Sequence, residues 1–477
     1  MKGVVVAALA LGVALPVALA RGFPGQDGSA GRERPRQVRQ QAELPPLIYT
    51  GAPVYVSLAA LRGKERFPKG AELMILRAGK AERLVKDFAA SADASVSFDG
   101  KTVLFAGKKN TVDPWQIWEM PAEGGAPQLV FGGRTDAIQP LWMPDGRVVF
   151  AEREAEGFGL VTAALDGSAT LRLNYLPGNF VPDDVLQDGR VLFESGFPLG
   201  EGSTPEMYLV YPDGSGVESV RCDHSHAEKG GGREHGRQMI LDSRAARAGD
   251  IVFTQGRSLA RFTSALADEA AIGSPAGGFA GDVAELPDGR WLLSMRAPGQ
   301  RHTALEVWKP GADAAIVVAR DAERDLVEPV VVAPRAVPRT FPSALHPWKT
   351  GNLLALDARL SRDGPLQGVP VTVRVETEGA GGRAQVLGTA PVMRDGSFFV
   401  KVPGDAALRF VLLDAAGRTL RQERGWFWMR SGEQRICVGC HTGPERAPDN
   451  RVPEVLNHST TPVDVSGAGI PTAAGGH

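Results

Sequence analysis

From residue 52 to about residue 340 the chain alternates short apolar runs with single polar positions, and tight polar turns separate the runs. Such alternation places one face of an extended segment toward a core, so each run predicts a β-strand. The clearest copy of the repeat is Ser95-Val96-Ser97-Phe98-Asp99-Gly100-Lys101-Thr102-Val103-Leu104-Phe105. Leu141 to Phe150, Val185 to Phe193 and Ala284 to Leu293 repeat its strand, Asp-Gly turn and apolar strand, and Ala248 to Phe253 fits the same frame. Asp-Gly suits these turns because a two-residue hairpin needs positive φ at both central positions. The turn aspartates Asp99, Asp145 and Asp188 are 46 and 43 residues apart, the length of one four-stranded propeller blade. A second turn falls midway through units, at Glu123-Gly124-Gly125, Asp166-Gly167, Asp213-Gly214 and Pro310-Gly311. Units beginning near Glu72, Gln116, Gly159, Met207, Leu259 and Leu305 predict a six-bladed β-propeller over residues 46–340, with Pro53 to Leu58 as the strand that closes the ring. The apolar strands and Trp115, Trp118 and Trp142 are assigned to the blade core.

Prolines between Pro334 and Pro347 end the repeat and mark a linker. Beyond it Leu353 to Leu360, Val369 to Glu376, Ala390 to Met393, Ser397 to Val402, Leu408 to Leu413 and Thr419 to Phe427 alternate like sandwich strands. The expected architecture is all-β: a propeller, an immunoglobulin-like β-sandwich over residues 341–430, a short segment over 431–460 that carries a cysteine pair, and a flexible tail over 461–477. The 58 glycines and 35 prolines agree with a turn-dense β protein.

At the other end, Met1-Lys2, an apolar core from Val4 to Leu19 and the small-x-small site Ala18-Leu19-Ala20 read as a signal peptide over residues 1–20. Residues 21–45 are charged and poor in apolar side chains, a disordered lead-in. No later apolar run reaches the ~18–20 residues that cross a bilayer, so the mature chain is expected to be periplasmic, soluble and without a transmembrane anchor. A net charge of −2 and a pI near 6.5 supply no basic field for nucleic acid.

The candidate chemistry sits in Cys437-Val438-Gly439-Cys440-His441, a CxxCH site for one covalent haem c. Cysteines three apart share one face of a helical turn, so both thiols reach the two vinyl groups of a single porphyrin, and His441 lies beneath the iron as its proximal ligand. Half of a zinc site is the alternative, but it needs two more soft ligands, and no cysteine follows His441. For the distal position His346, in the proline-stiffened linker, is preferred over His458 and over the upstream methionines. A second feature is Arg221 to Gly236, which lengthens its blade. Cys222, His224 and His226 alternate there, with His235 returning across a glycine turn, a ligand set suited to zinc or copper or else a solvated loop. His302 is assigned a structural role.

The Asp-Gly repeats resemble those of TolB-like periplasmic propellers. The order of parts, with Asp395-Gly396-Ser397-Phe398, Val402-Pro403, Gly432-Glu433, the CxxCH and Pro448, resembles the C-terminal two thirds of the hydrazine synthase alpha subunit over roughly residues 70–450. That resemblance implies the electron-transfer half of such a subunit. The expected function is single-electron transfer by a monohaem cytochrome-like protein, with the propeller as docking platform for a redox partner protein. The alternatives are a haem- or metal-dependent oxidoreductase subunit and a haem-containing binding or sensor module.

Overall fold

The computed structural model describes residues 44–155, 157–195, 205–220, 233–256, 258–263, 268–272, 275, 278–343, 345–361, 364–379, 383–423, 425–439 and 451–467. Apart from a 3-10 turn, Ala60–Arg62, and one short helix, Glu454–His458, the regular structure of these residues is β-strand.

Six four-stranded antiparallel sheets come first. Their inner strands are Ala90–Val96, Ala137–Trp142, Phe180–Val185, Arg233–Gln238, Gly278–Glu285 and Asp325–Val331. Each inner strand touches the next, and the last returns to the first, so the sheets form a closed propeller ring. The ring is sealed by Leu47–Ala52, which pairs with the inner strand Asp325–Val331 on one side and with Glu72–Arg77 on the other. The closing strand is therefore not Pro53 to Leu58. Pro53 has no N–H to donate to a ladder, whereas Leu47 to Thr50 is a run of aliphatic, aromatic and β-branched side chains. Residues 53–71 instead leave the sheet as an excursion containing the 3-10 turn.

The Asp-Gly hairpins also differ from the two-residue form. Ser97 N–H bonds the Thr102 carbonyl and Gly100 N–H bonds the Ser97 carbonyl, at 2.9 Å each, so the loop holds four residues. Gly100 has φ +76° while Asp99 is not left-handed. The aspartate earns its position by a different contact: its Oδ1 accepts the Lys101 N–H at 3.1 Å. Asp145, Asp188 and Asp288 accept in the same way from Arg147, Arg190 and Arg290.

Aromatic and aliphatic side chains fill the spaces between sheets; Phe105, Phe150, Phe193, Phe253, Trp291 and Trp308 are fully buried, and Trp115, Trp118 and Trp142 are buried as expected. Each would contribute about 1.5–3 kcal/mol or more on burial.

The second unit has two sheets. One carries Gln434–Gly439, Thr350–Asp357, Phe398–Pro403 and Val463–Asp464 in that order. The other carries Ala384–Pro391, Thr372–Glu378, Ala406–Leu413 and Thr419–Gln422, with Phe427–Met429 also paired to Ala406–Leu413. Leu353, Val373, Val375, Phe398, Val400 and Phe410 pack between them.

This unit is not a bead on a string. Trp428 is fully buried in a cluster shared with the propeller residues Leu173, Phe193, Val210 and Val217, and its indole N–H donates to the Gly214 carbonyl at 2.8 Å. Glu433 accepts from the Gly216 N–H at 3.2 Å, and the Arg430 guanidinium lies 4.8 Å from the centre of the Tyr175 ring. The linker is pinned as well: Arg335 stacks on Phe98 at 4.5 Å, and Phe341 meets Tyr211 edge-on at 4.9 Å.

Candidate functional sites

Cys437 lies on Gln434–Gly439, an edge strand that runs parallel to Thr350–Asp357 with Ala355 as its neighbour. The helical turn expected for the first cysteine is thus a strand. Side chains three apart on a strand face opposite sides, so bringing both thiols to one ring requires the chain to turn after Gly439, where the strand ends. Cys440 and His441 lie outside the described residues. The Cys437 thiol packs against the core between the two sheets and is pushed up to about 11, chiefly by burial. It is a neutral thiol, slow to form a thiolate. Its strand neighbour Ile436 faces the other way and is 67% exposed.

The two histidine candidates stand at opposite ends of this sheet. The helix Glu454–His458 is docked where Glu454 N–H bonds Asp395 Oδ2 at 2.8 Å and Val455 N–H bonds Ser397 Oγ at 3.1 Å. Ser397 leads directly into Phe398, which faces Ala355, which faces Cys437, so His458 is at the end of the sheet that carries Cys437. Its imidazole is exposed, 3.7 Å from Glu454. His346 is exposed and stacks on Trp348 at 4.9 Å. Its backbone crowds Gly432, where an added Cβ would meet the His346 carbonyl at 2.2 Å. Gly432 precedes Gly439 by seven residues, so His346 stands roughly 20 Å from the strand's far end at ~3.3 Å per residue.

Cys222, His224 and His226 also lie outside the described residues, but the segment that holds them leads into the inner strand Arg233–Gln238 and thus to His235. There the structure shows a site that the periodicity did not reveal. Every inner strand slips register against its neighbour. At these bulges Asp93, Gln139, His235 and Glu328 adopt left-handed φ of 52–61°. With Asp183 and Asp282 they make a set of polar residues, one per inner strand, about the propeller axis. Carboxylates of one sheet hold the bulge of the next: Asp93 accepts the Gln139 N–H at 2.8 Å, Asp183 accepts the Gly236 N–H at 3.2 Å, and Glu194 accepts the His235 N–H.

The excursion reaches into this set. Arg66 is buried and pairs with both Asp93 and Glu328, and Ser57 Oγ lies 2.7 Å from His235 Nε2. On the other ring nitrogen, His235 Nδ1 is 3.2 Å from Asp282 Oδ1. Burial pushes Asp183 up to about 7 and Glu328 up to about 8, and burial followed by the charge of Asp183 raises Glu194 well above the carboxylate range. Asp183, Glu194 and His235 bring one donor atom each within 4.8 Å of one another. His302 sits at the rim, partly buried and 3.6 Å from Asp325. A sequence signal existed: Asp93, Gln139, Asp183 and Asp282 precede the turn aspartates Asp99, Asp145, Asp188 and Asp288 by five or six residues. At the opposite end of the ring a cavity of about 390 Å³ lies under the linker, lined by Trp142, Asp184, Arg237, Glu285 and Arg335 among others.

Comparison with known proteins bears on the whole chain. Residues 369–442 match the family model of the hydrazine synthase alpha subunit middle domain. No curated protein sequence matches. Among solved structures, the Kuenenia stuttgartiensis hydrazine synthase superposes with a TM-score of 0.74 at 18% identity, covering 88% of this chain and 73% of that one. TolB from Acinetobacter baumannii gives 0.45 at 12% identity, covering 62% and 67%. The chain therefore has a hydrazine synthase-like propeller fold, and it resembles the alpha subunit in sequence from the second unit through the CxxCH.

Proposed function

We propose that this chain is an exported, monohaem c-type cytochrome-like protein that passes single electrons, with the propeller as its docking platform for a redox partner protein. Cys437, Cys440 and His441 would hold the haem, which supplies one reversible iron-centred electron when bound. The observation that carries the reading is the setting of Cys437. It lies half-buried on an edge strand directly before Cys440-His441, with the short helix Glu454–His458 docked at the same end of the sheet.

For the second axial ligand the reading takes His458 over His346. What supports it is the ~16 Å of chain between Gly432, beside His346, and Cys437, against the docking of Glu454–His458 on Asp395 and Ser397, at the start of the strand two over from the cysteine's and at the end toward which Cys437 lies. This chain's residues do the positioning: Trp428 and Glu433 fix the haem-bearing unit to the propeller, so a partner bound to the ring would meet the haem at one set distance. The finer architecture is part of the same reading, with the six sheets as six blades and the two-sheet unit as an immunoglobulin-like sandwich. Export rests on the signal peptide of residues 1–20. The test is a pair of reduced absorption spectra of the purified protein, with and without carbon monoxide. A six-coordinate haem that does not react supports electron transfer. Ready ligation contradicts it and supports haem chemistry on a small molecule.

A further inference from the structure

The geometry points to a second metal centre, independent of the haem: we propose that Asp183, Glu194 and His235 bind one zinc-class divalent cation on the propeller axis, with Asp282 orienting the histidine. The three come from adjacent inner and second strands of two neighbouring sheets, and their donor atoms converge within 4.8 Å. A zinc ion ~2.1 Å from each donor would set them ~3.4 Å apart, so side-chain rotations of roughly an ångström complete the set. One imidazole and two carboxylates, with no sulfur, suit zinc better than calcium or magnesium, which take oxygen alone.

The surroundings have the form of a metal site's outer shell. A ligating histidine commonly donates its other N–H to a carboxylate, which fixes the tautomer. His235 Nδ1 lies 3.2 Å from Asp282 Oδ1, so the proton is assigned to Nδ1 and coordination to Nε2. Ser57 Oγ now lies 2.7 Å from Nε2, and it has another partner to turn to, Glu234 Oε2 at 3.3 Å. The second oxygen of Asp282 has no hydrogen-bond partner among the described residues, although Asp282 is 94% buried. A buried carboxylate oxygen without a donor calls for a cation, a proton or water beside it. The two ligand carboxylates each use one oxygen site on a backbone N–H, of Gly236 and His235, and a carboxylate has about four such sites, so both can hold the bulge and ligate at once.

Calorimetric titration of ZnCl₂ into the full-length, chelator-treated holoprotein tests this. It is run in a Cys222→Ser, His224→Ala, His226→Ala background so that the neighbouring segment contributes no ligands. The expected result is one zinc per chain at micromolar affinity or tighter, weakened at least 10-fold by adding Asp183→Asn and Glu194→Gln. Both changes keep an oxygen for the backbone N–H groups, and an unchanged circular dichroism spectrum shows that the ring is intact. If the Asn/Gln protein fails to fold, His235→Gln serves in its place with the same loss expected. Absence of saturable uptake in the loop-substituted protein overturns the proposal. So does uptake that the Asn/Gln changes leave unaltered.

Discussion

Replacing Trp428 tests whether the second unit is rigidly mounted on the propeller. Its side chain is fully buried at the junction, against Phe193, Val210 and Leu173, and donates one hydrogen bond at 2.8 Å to Gly214. Truncation to alanine removes the whole indole and leaves a cavity between units, a loss of about 3–5 kcal/mol for such changes. Trp428→Phe keeps most of the apolar contact but strands the Gly214 carbonyl, about 1–3 kcal/mol. The expected order of urea midpoints is therefore wild type, then Phe, then Ala. Because contacts across the junction, rather than within either unit, are lost, unfolding of Trp428→Ala should separate into two transitions. The linker should also open to protease near Val337, Phe341 and Trp348, all already exposed. A single transition that moves by less than about 1 kcal/mol, with linker cleavage unchanged, would refute the mounting argument.

Two further predictions concern charge and ligation. Burial holds Glu328 at about 8, as Asp93 shares the one Arg66 guanidinium with it, so the folded chain keeps a proton that the unfolded chain releases. The resulting stability is full below the ordinary value of 4.5 and is lost as pH rises through 8, at up to about 1.4 kcal/mol per pH unit in that window. Glu328→Gln should flatten the fall in Tm between pH 5 and 8, and an unaltered slope would show that another group sets it. For the axial ligand, His458→Ala should change the low-spin absorption and EPR signals while His346→Ala leaves them as they are; the reverse pattern would return the assignment to His346.

The propeller was legible because its cause is local: alternating strands and Asp-Gly turns recur at blade spacing, and each copy specifies its own hairpin. The closing strand was misplaced because Leu47 to Ala52 carries no turn signal and pairs with Asp325–Val331, almost the whole ring away in sequence. The axial cluster escaped for a related reason. Asp183, Glu194, His235 and Asp282 are brought together by bulges, and a bulge breaks the alternation from which facing is read. His346 sits in the linker between units, and the parallel pairing of Gln434–Gly439 with Thr350–Asp357 sets Cys437 five residues along the chain from Gly432, which His346 contacts. Periodicity does not encode the direction of that pairing.

Covalent haem on Cys437 and Cys440 is the claim on which the function depends, and haem staining of a denaturing gel measures it most directly. The protein should be produced by export in a host that attaches c-type haem, with a pyridine haemochrome spectrum to count haem per chain. The account predicts one haem that stays with the wild-type chain through denaturation and is absent from Cys437→Ala plus Cys440→Ala. A wild-type chain without stain, or stain of equal strength in the double variant, would contradict it.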